Sequence, residues 1–360
     1  MTLEMTAASP IADPAGGFAR HADGTFRKTM PLERVHRELE GWRSIRGHLP
    51  VATLLGQHAA PGGQHTLIYE DVFAAGRCTR LLADLIADAD RDPAQAPAAA
   101  ALVDAVCDSW AQAAARTGRT APIGQCQPGL YAARLAPGGR LDSWYGRMPP
   151  VVVDTGAAVT PVDMPALLAQ LRIELAPGRR CPTAVTQGDP TEPNIAAPMR
   201  WLDYEHAGRN ALAGEVATLL WYLLAMGGWL VPLYKPLTYA RTVHAPGLPL
   251  PPAVTYLHLQ DGRVDIAAQI RADAGRRAVI TALLRRLHGD IGELICGPHR
   301  DPLAAMRPWL ATRILGVIPI IHMTRADAAV CLLKLVQVLD PGTRLDDFAA
   351  TAESSRQEQR

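Results

Sequence analysis

Lysine and asparagine are scarce in this chain. Among its 360 residues only three are lysines (Lys28, Lys235 and Lys334) and two are asparagines (Asn194 and Asn210). Aromatic residues make up 5% of the chain, and 36 basic residues against 35 acidic ones leave a net charge of +1. Without a basic excess, nucleic-acid binding through overall charge is excluded. Because lysine and asparagine are so rare, each one is a candidate for a position where chemistry requires that residue.

The six cysteines form no C-x-x-C pair, which argues against a zinc ribbon or a disulfide framework. The first 14 residues have neither the basic nor the apolar segment of a signal peptide. An uncharged run of 18 residues, Val216–Leu233, just reaches membrane-spanning length. Gly227 and Gly228 interrupt it, so we interpret it as a buried core helix, with a membrane span as the alternative. These features predict a cytoplasmic protein that has reduced thiols and no membrane partner.

The first 73 residues have the pattern of a small β-rich unit with one helix. Asp23-Gly24 between two extended runs is a hairpin signal, and the second run is Thr25–Met30. Apolar residues then recur every three or four positions between Leu32 and Ile45, which predicts an amphipathic helix. A further strand is predicted at 65–69.

From about residue 78 the patterns are mainly helical. Helices are predicted at 81–90, 98–117, 163–176, 210–230, 264–294, 303–318 and 325–339. Asn210 is interpreted as the cap of one of them, and 121–162 is a Gly- and Pro-rich insert with short strand-like pieces. This order predicts an α+β protein with two lobes, 1–73 and 74–345, followed by a flexible tail, 346–360.

The segment 184–208 has the sharpest chemical pattern. Asp189 lies five residues before Asn194, and Asp203 follows a short apolar strand. Phosphoryl transfer uses this arrangement: the first Asp orients the acceptor hydroxyl and accepts its proton, while the Asn and the second Asp hold Mg²⁺ against the phosphates. The sequence therefore predicts Asp189 as the catalytic base and Asn194 and Asp203 as metal ligands.

This segment resembles the catalytic and metal-binding loops of the aminoglycoside phosphotransferase family, which has a protein-kinase-like fold. The family's pattern is roughly H-G-D-x4-N, then a strand that ends in D-x-E. Gly188, Asp189, Asn194, Asp203 and Glu205 match it position by position. The resemblance implies a two-lobed kinase-like fold, ATP or GTP as phosphoryl donor, and Mg²⁺.

The N-terminal lobe extends the resemblance. The strand at Thr25–Met30 is similar to the family's strand with the nucleotide lysine, which would be Lys28, and Glu38 on the next helix would pair with it. By the same resemblance, the backbone of Glu70 and Val72, in the segment that joins the lobes, would meet the adenine edge.

Two positions depart from the family. Its histidine is Gln187 here, and we expect the amide to brace the catalytic loop in its place. The phosphate-binding loop is reduced to Gly16-Gly17, without a full G-x-G-x-x-G run, which predicts weakened nucleotide affinity. A scaffold with weak or no catalysis is therefore one alternative, although Lys28, Asp189 and Asn194 are intact.

The acceptor is less defined than the donor. The C-terminal segment 262–315 carries nine arginines against five acidic residues, which is unlike a site for a polycationic aminoglycoside. A neutral or anionic small molecule with a hydroxyl, such as a nucleoside-type metabolite or a sugar, fits better. The other alternative is a Ser/Thr kinase that modifies a peptide, with 121–162 as its platform and with a partner protein.

Overall fold

A computed structural model describes residues 17–126, 131–242, 249–297 and 299–353 of the chain. The predicted α+β class is confirmed, because a β-rich N-terminal part is followed by a mainly helical part. The strands of the first part are β1 (Gly17–Arg20), β2 (Thr25–Pro31), β3 (Leu54–Ala60) and β4 (Gln64–Glu70). They form one antiparallel sheet in the order β1-β2-β4-β3.

Helix α1 (Leu32–Ile45) follows β2, as predicted, and precedes β3, a strand that the sequence patterns did not predict. Its buried face carries Val35, Leu39 and Ile45, and Glu38 is buried on that face as well. A side chain at Gly41 would meet the backbone oxygen of Tyr204 at 1.9 Å. The missing side chain therefore lets α1 approach a loop from the second half of the chain.

Short strands in the second part build the frame of two loops. The sheets have the orders β12-β9-β6 and β11-β10-β5. Their strands are β5 (Arg80–Leu81), β6 (Arg119–Pro122), β9 (Arg180–Thr186), β10 (Ile195–Ala197), β11 (Arg200–Trp201) and β12 (Gly208–Ala211). One loop, 187–194, leaves β9 and enters β10, and the other, 202–207, leaves β11 and enters β12. Since β9 and β12 pair directly, the two loops lie side by side.

A fourth sheet, β13-β14-β7-β8, joins the insert to a later hairpin, with β15 added alongside β14. Its strands are β7 (Val151–Asp154), β8 (Val159–Val162), β13 (Ala253–Gln260), β14 (Arg263–Ala272) and β15 (Thr351–Glu353). The prediction of a helix over 264–294 was thus wrong for its first part, where β14 alternates buried Val264, Ile266 and Ile270 with less buried residues. The helix begins at Ala274.

The helices carry most of the buried apolar side chains. They are α2 (Leu82–Arg91), α3 (Ala96–Thr117), α4 (Ala132–Leu135), α5 (Arg140–Tyr145), α6 (Met164–Glu174), α7 (Leu212–Trp221), α8 (Val231–Tyr234), α9 (Pro236–Thr242), α10 (Ala274–Leu287), α11 (Asp290–Cys296), α12 (Pro302–Gly316), α13 (Arg325–Leu339) and α14 (Leu345–Ala349). Helix α10 packs on α2 and α3, and α12 packs on α7 and α13.

The apolar run from Leu212 to Tyr234 forms α7, a π-helical stretch (Tyr222–Leu230) and α8. By length and composition, this helical run and a second one, Pro302–His322, could cross a membrane, but 89% and 72% of their apolar windows are buried inside the fold. The interpretation of Val216–Leu233 as a buried core helix is confirmed.

The predicted flexible tail is corrected for its first half. Leu345, Phe348 and Ala349 of α14 are buried, and β15 pairs in parallel with β14. Lys334 donates a hydrogen bond to the carbonyl of Phe348 at 2.6 Å, which ties this segment to α13. Residues 354–360 lie outside the described residues.

Candidate active site

Lys28 lies between two carboxylates at the junction of the lobes. Its Nζ is 2.8 Å from Oε1 of Glu38 and 2.7 Å from Oδ1 of Asp203. Strand β2 supplies the lysine, α1 supplies Glu38, and the loop after β11 supplies Asp203. The predicted pairing of Lys28 with Glu38 is therefore present in the structure, and Asp203 completes the cluster.

Burial and charge act in different directions on the three groups. Burial opposes the charged form of Lys28, but the two carboxylates outweigh it and raise the pKa of the ammonium. Burial raises the pKa of Glu38, whose side chain is 1% exposed, and Lys28 opposes that shift. Asp203 is 47% exposed, so it keeps some hydration, and Lys28 lowers its pKa against the effect of burial. Lys28 thus remains charged with Asp203 as its ionised partner.

Gln187 holds the two loops together. Its Nε2 donates to the carbonyl of Leu202 at 2.9 Å and to the carbonyl of Asp203, and its Oε1 accepts from the N–H of Asp189 at 2.9 Å. The side chain is fully buried. The amide occupies the bracing place that the sequence predicted for it, and it links the residue proposed as base to the loop proposed to bind metal.

The two loops also depend on unusual backbone angles. Gly188 has φ of +91°, and a Cβ there would meet the backbone oxygen of His206 at 1.9 Å. Asp203 has φ of +57°, a left-handed conformation that is uncommon for a residue with a side chain. Such strained residues persist where surrounding contacts fix them, and they are frequent at functional sites.

Asp189 is held from two sides. Its carbonyl accepts hydrogen bonds from the N–H of Thr191 at 2.8 Å and from Nδ2 of Asn194 at 3.0 Å. Its Oδ1 accepts from Nη2 of Arg313 at 3.0 Å, and its side chain is 27% exposed. Asn194, at the end of the same loop, therefore directs its Nδ2 back towards Asp189, which leaves its Oδ1 as the acceptor for another group.

A cavity of about 360 Å³ lies between the sheet of the N-terminal lobe and the two loops. Six of the residues singled out from the sequence line it: Lys28, Glu38, Glu70, Val72, Asn194 and Asp203. Neither Asp189 nor Gly17 is among its lining residues. Gly17 pairs with Thr29, and a side chain there would meet nothing within 4 Å. Gly16 lies outside the described residues.

The segment at the rear of the cavity has its backbone partly occupied. The N–H of Glu70 donates to the carbonyl of Thr53 at 2.9 Å. The carbonyl of Val72 accepts from the N–H groups of Arg77 and Cys78, also at 2.9 Å each. The two remaining backbone groups of Glu70 and Val72 are the carbonyl of Glu70, which can accept a hydrogen bond, and the N–H of Val72, which can donate one.

Sequence reasoning missed two residues behind the catalytic loop. Arg313, on α12, is 4% exposed and contacts Asp189 across 124 positions of the chain, so no local pattern could reveal it. Glu215, on α7, is buried against the loop, and burial, reinforced by the charge of Asp189, raises its pKa to about 8. A lone carboxylate in an otherwise apolar helix was a readable signal for it.

Glu205 does not face the cavity. It accepts hydrogen bonds from Arg34 at 2.7 Å and Arg37 at 2.8 Å, both on α1. These bonds lower the pKa of Glu205 against the effect of its burial. Its function in the structure is to tie α1 to the loop that carries Asp203.

In the described residues, no group of three or more His, Cys, Asp and Glu side chains is placed to hold a metal ion. On the side of the cavity formed by the two loops, Asp203 offers a carboxylate and Asn194 an amide oxygen. Two hard oxygen donors suit a Mg²⁺ ion that takes its remaining ligands from phosphate and water.

No protein-family model and no curated protein matches the sequence. Solved structures do match. A glucosamine kinase in complex with glucosamine, ADP and inorganic phosphate is 15% identical, with a TM-score of 0.43, over 89% of this chain and 77% of that one. A thermostable mutant of aminoglycoside phosphotransferase APH(4)-Ia is 11% identical, with a TM-score of 0.42, over 96% and 90%. Aminoglycoside phosphotransferase APH(3'')-Id from Streptomyces rimosus is 17% identical, with a TM-score of 0.36, over 68% and 88%. The chain is thus similar to structures of the kind that its sequence resembles, and at these values the similarity says nothing about its own substrate.

Proposed function

We propose that this protein is a Mg²⁺-dependent phosphotransferase that moves the γ-phosphate of ATP or GTP to a hydroxyl group of a small molecule. The observation that carries the proposal is the cluster of Lys28, Glu38 and Asp203 on the wall of a cavity that also exposes Asn194. A lysine held by a helix glutamate, beside an Asp and an Asn, is the set of side chains with which protein kinases hold a nucleotide triphosphate and its Mg²⁺.

The rear of the cavity supports a purine nucleotide. Adenine presents an amino donor next to a ring-nitrogen acceptor on its Watson–Crick edge. The Glu70 carbonyl and the Val72 N–H would meet these two groups. Tyr69, buried beside Glu70, packs towards Glu38 and would limit the depth of the base.

Asn194 and Asp203 would hold Mg²⁺ through their side-chain oxygens. The ion, when bound, neutralises charge on the phosphates and orients them. Lys28 would contribute its ammonium to the same phosphates while Glu38 fixes its position. Because Gln187 anchors the carbonyl of Asp203, the metal ligand and the catalytic loop keep a constant spacing.

Asp189 would act on the acceptor. Arg313 occupies its Oδ1, so Oδ2 is the atom for the acceptor hydroxyl. In the transfer, the hydroxyl oxygen forms a bond to the γ-phosphorus as the bond from that phosphorus to the β,γ-bridging oxygen breaks. ADP or GDP leaves, and the hydroxyl proton goes to Asp189.

Calorimetric titration with ATP and GTP, with and without Mg²⁺, tests the donor side. We expect Mg²⁺-dependent binding that weakens at least about tenfold in Asp203→Asn. Asp347→Asn, at an exposed position of α14, makes the same chemical change and is expected to bind like wild type. Asp189→Asn should retain nucleotide binding and lose transfer to any acceptor that the wild type phosphorylates.

The outcomes separate the alternatives. Mg²⁺-dependent binding followed by phosphorylation of a small hydroxyl compound would support the proposal. Phosphorylation confined to Ser or Thr of a peptide would favour the peptide kinase, and failure to bind either nucleotide would favour a scaffold without catalysis.

A further inference from the structure

Two arginines from distant elements converge behind the catalytic loop. Arg313, on α12, is 4% exposed and donates from Nη2 to Asp189 at 3.0 Å. Arg134, on α4, packs along the same face of α12, where its Cδ would lie 3.1 Å from a Cβ added at Gly316. Gly316 is one turn beyond Arg313, so the two guanidinium groups share this face.

Both guanidinium groups keep donor atoms without partners. Nε of Arg313 and Nη1 of Arg134 are buried and have no hydrogen-bond acceptor among the described residues. A buried unpaired donor on a charged group is costly, and it is more so when both groups carry the same charge. The two arginines are therefore incomplete as a purely structural pair.

Near Asp189, the positive charges of the arginines outnumber the negative charges. Burial and the nearby Arg313 lower the pKa of Arg134 to about 9, which still leaves the group charged at neutral pH. Arg140 adds a further repulsive charge to Arg134, whereas Asp189 attracts it. Glu215 does not restore the balance, because its raised pKa keeps it largely protonated at neutral pH. An anion in addition to Asp189 would balance the two guanidinium charges and accept from their unpaired donors.

We infer that Arg134 and Arg313 form a subsite for an anionic group, a carboxylate or a phosphate, on the acceptor that Asp189 deprotonates. The inference rests on the proposed function, since it places the anion next to the reacting hydroxyl. The γ-phosphoryl group of the nucleotide has the same chemistry. We assign the anion to the acceptor because neither arginine lines the cavity of Lys28 and Asp203. The acceptor class is thus an anionic hydroxyl compound.

Calorimetric titration of inorganic phosphate into the nucleotide-free protein tests the subsite. Arg134→Gln and Arg313→Gln should each weaken phosphate binding at least about tenfold, since each removes a charged donor. Arg285→Gln on α10 removes an exposed guanidinium and the same charge, and should leave phosphate binding unchanged. Asp189→Asn should tighten phosphate binding, because Arg313 loses its carboxylate partner.

The tightening in Asp189→Asn is a gain that partial unfolding could not produce, and thermal unfolding shows which arginine variants are folded. No phosphate binding to wild type, or equal binding by Arg134→Gln and Arg285→Gln, would overturn the inference. If the arginine variants weaken binding of ATP but not of ADP, the anion is the γ-phosphoryl group, and the assignment to the acceptor fails. Phosphate binding with the predicted variant pattern, but without nucleotide binding, would support the anion subsite while refuting the proposed function.

Discussion

Gln187→Leu should destabilise both the protein and the proposed nucleotide site. Leucine has about the volume of glutamine, so the exchange removes the amide without opening a large cavity. It removes the two hydrogen bonds donated to the loop of Asp203 and the one accepted from the N–H of Asp189. All three are made by a fully buried side chain.

The magnitude follows from these three bonds. A buried hydrogen bond contributes about 1 kcal/mol net, and an orphaned buried partner costs about 1–3 kcal/mol. We therefore expect the free energy of unfolding to fall by about 3 kcal/mol. Since the carbonyl of Asp203 loses its anchor, Mg²⁺-dependent ATP binding should also weaken by about tenfold or more.

Urea unfolding followed by circular dichroism measures the first effect, and calorimetry measures the second. Gln112→Leu, at an exposed position of α3, is the matched control and should change stability by less than about 0.5 kcal/mol. Gln187→His should retain part of the stability, because a neutral imidazole offers one donor and one acceptor. A loss below about 1 kcal/mol in Gln187→Leu, with unchanged ATP binding, would refute the bracing role.

Two further predictions concern the same loop. Glu215 has a pKa of about 8 in the folded state and near 4.5 in the unfolded state. Between these two pH values the folded state therefore binds one more proton than the unfolded state. The free energy of unfolding should fall by roughly a few kcal/mol as the pH rises through that window. Glu215→Gln should flatten this part of the stability curve measured by urea unfolding, and a curve of unchanged slope would contradict it. Gly188→Ala should cost roughly 2–5 kcal/mol, because of its φ of +91° and the close approach of His206. In the same assay Gly47→Ala, which meets nothing within 4 Å, should cost less than about 0.5 kcal/mol, and equal effects at the two glycines would be inconsistent with the steric argument.

Local patterns predicted the N-terminal lobe well. The Asp23-Gly24 hairpin and the helix at Leu32–Ile45 are both present, since turn chemistry and apolar spacing act within a few residues. The contact between Lys28 and Glu38 was expected from the resemblance of this strand and helix to those of the family, and it forms because β2 runs directly into α1.

The later part of the chain was harder to predict. The segment 263–272 is rich in alanine, which favours helix, yet its apolar residues alternate with a period of two and it pairs with β7, over 100 residues earlier. Asn210 does not cap a helix. It lies in β12, and its Nδ2 donates to the carbonyls of His206 and Gly208 at 3.2 Å each. Such pairings depend on chain segments that only tertiary structure brings together.

The residues of the candidate site also differ in whether local sequence patterns or only the tertiary structure could identify them. Asp189, Asn194 and Asp203 were found because their spacing is short and chemically specific. Arg134 and Arg313 were not, because they are 179 positions apart in the chain and only the packing of α4 and α12 brings both near Asp189. The residues of the proposed donor site are thus encoded by local spacing, and those of the proposed acceptor site by the packing of the helical lobe.

The docked segment 345–353 bears on how the protein can be handled. Cutting the chain after Arg344 would uncover the side of α13 that Phe348 covers and would leave the buried ammonium of Lys334 without its acceptor. It would also free one edge of β14, and an open strand edge invites pairing with other molecules. We therefore expect such a truncated protein to aggregate, and we expect a C-terminal affinity tag to be tolerated when it is attached beyond Glu353.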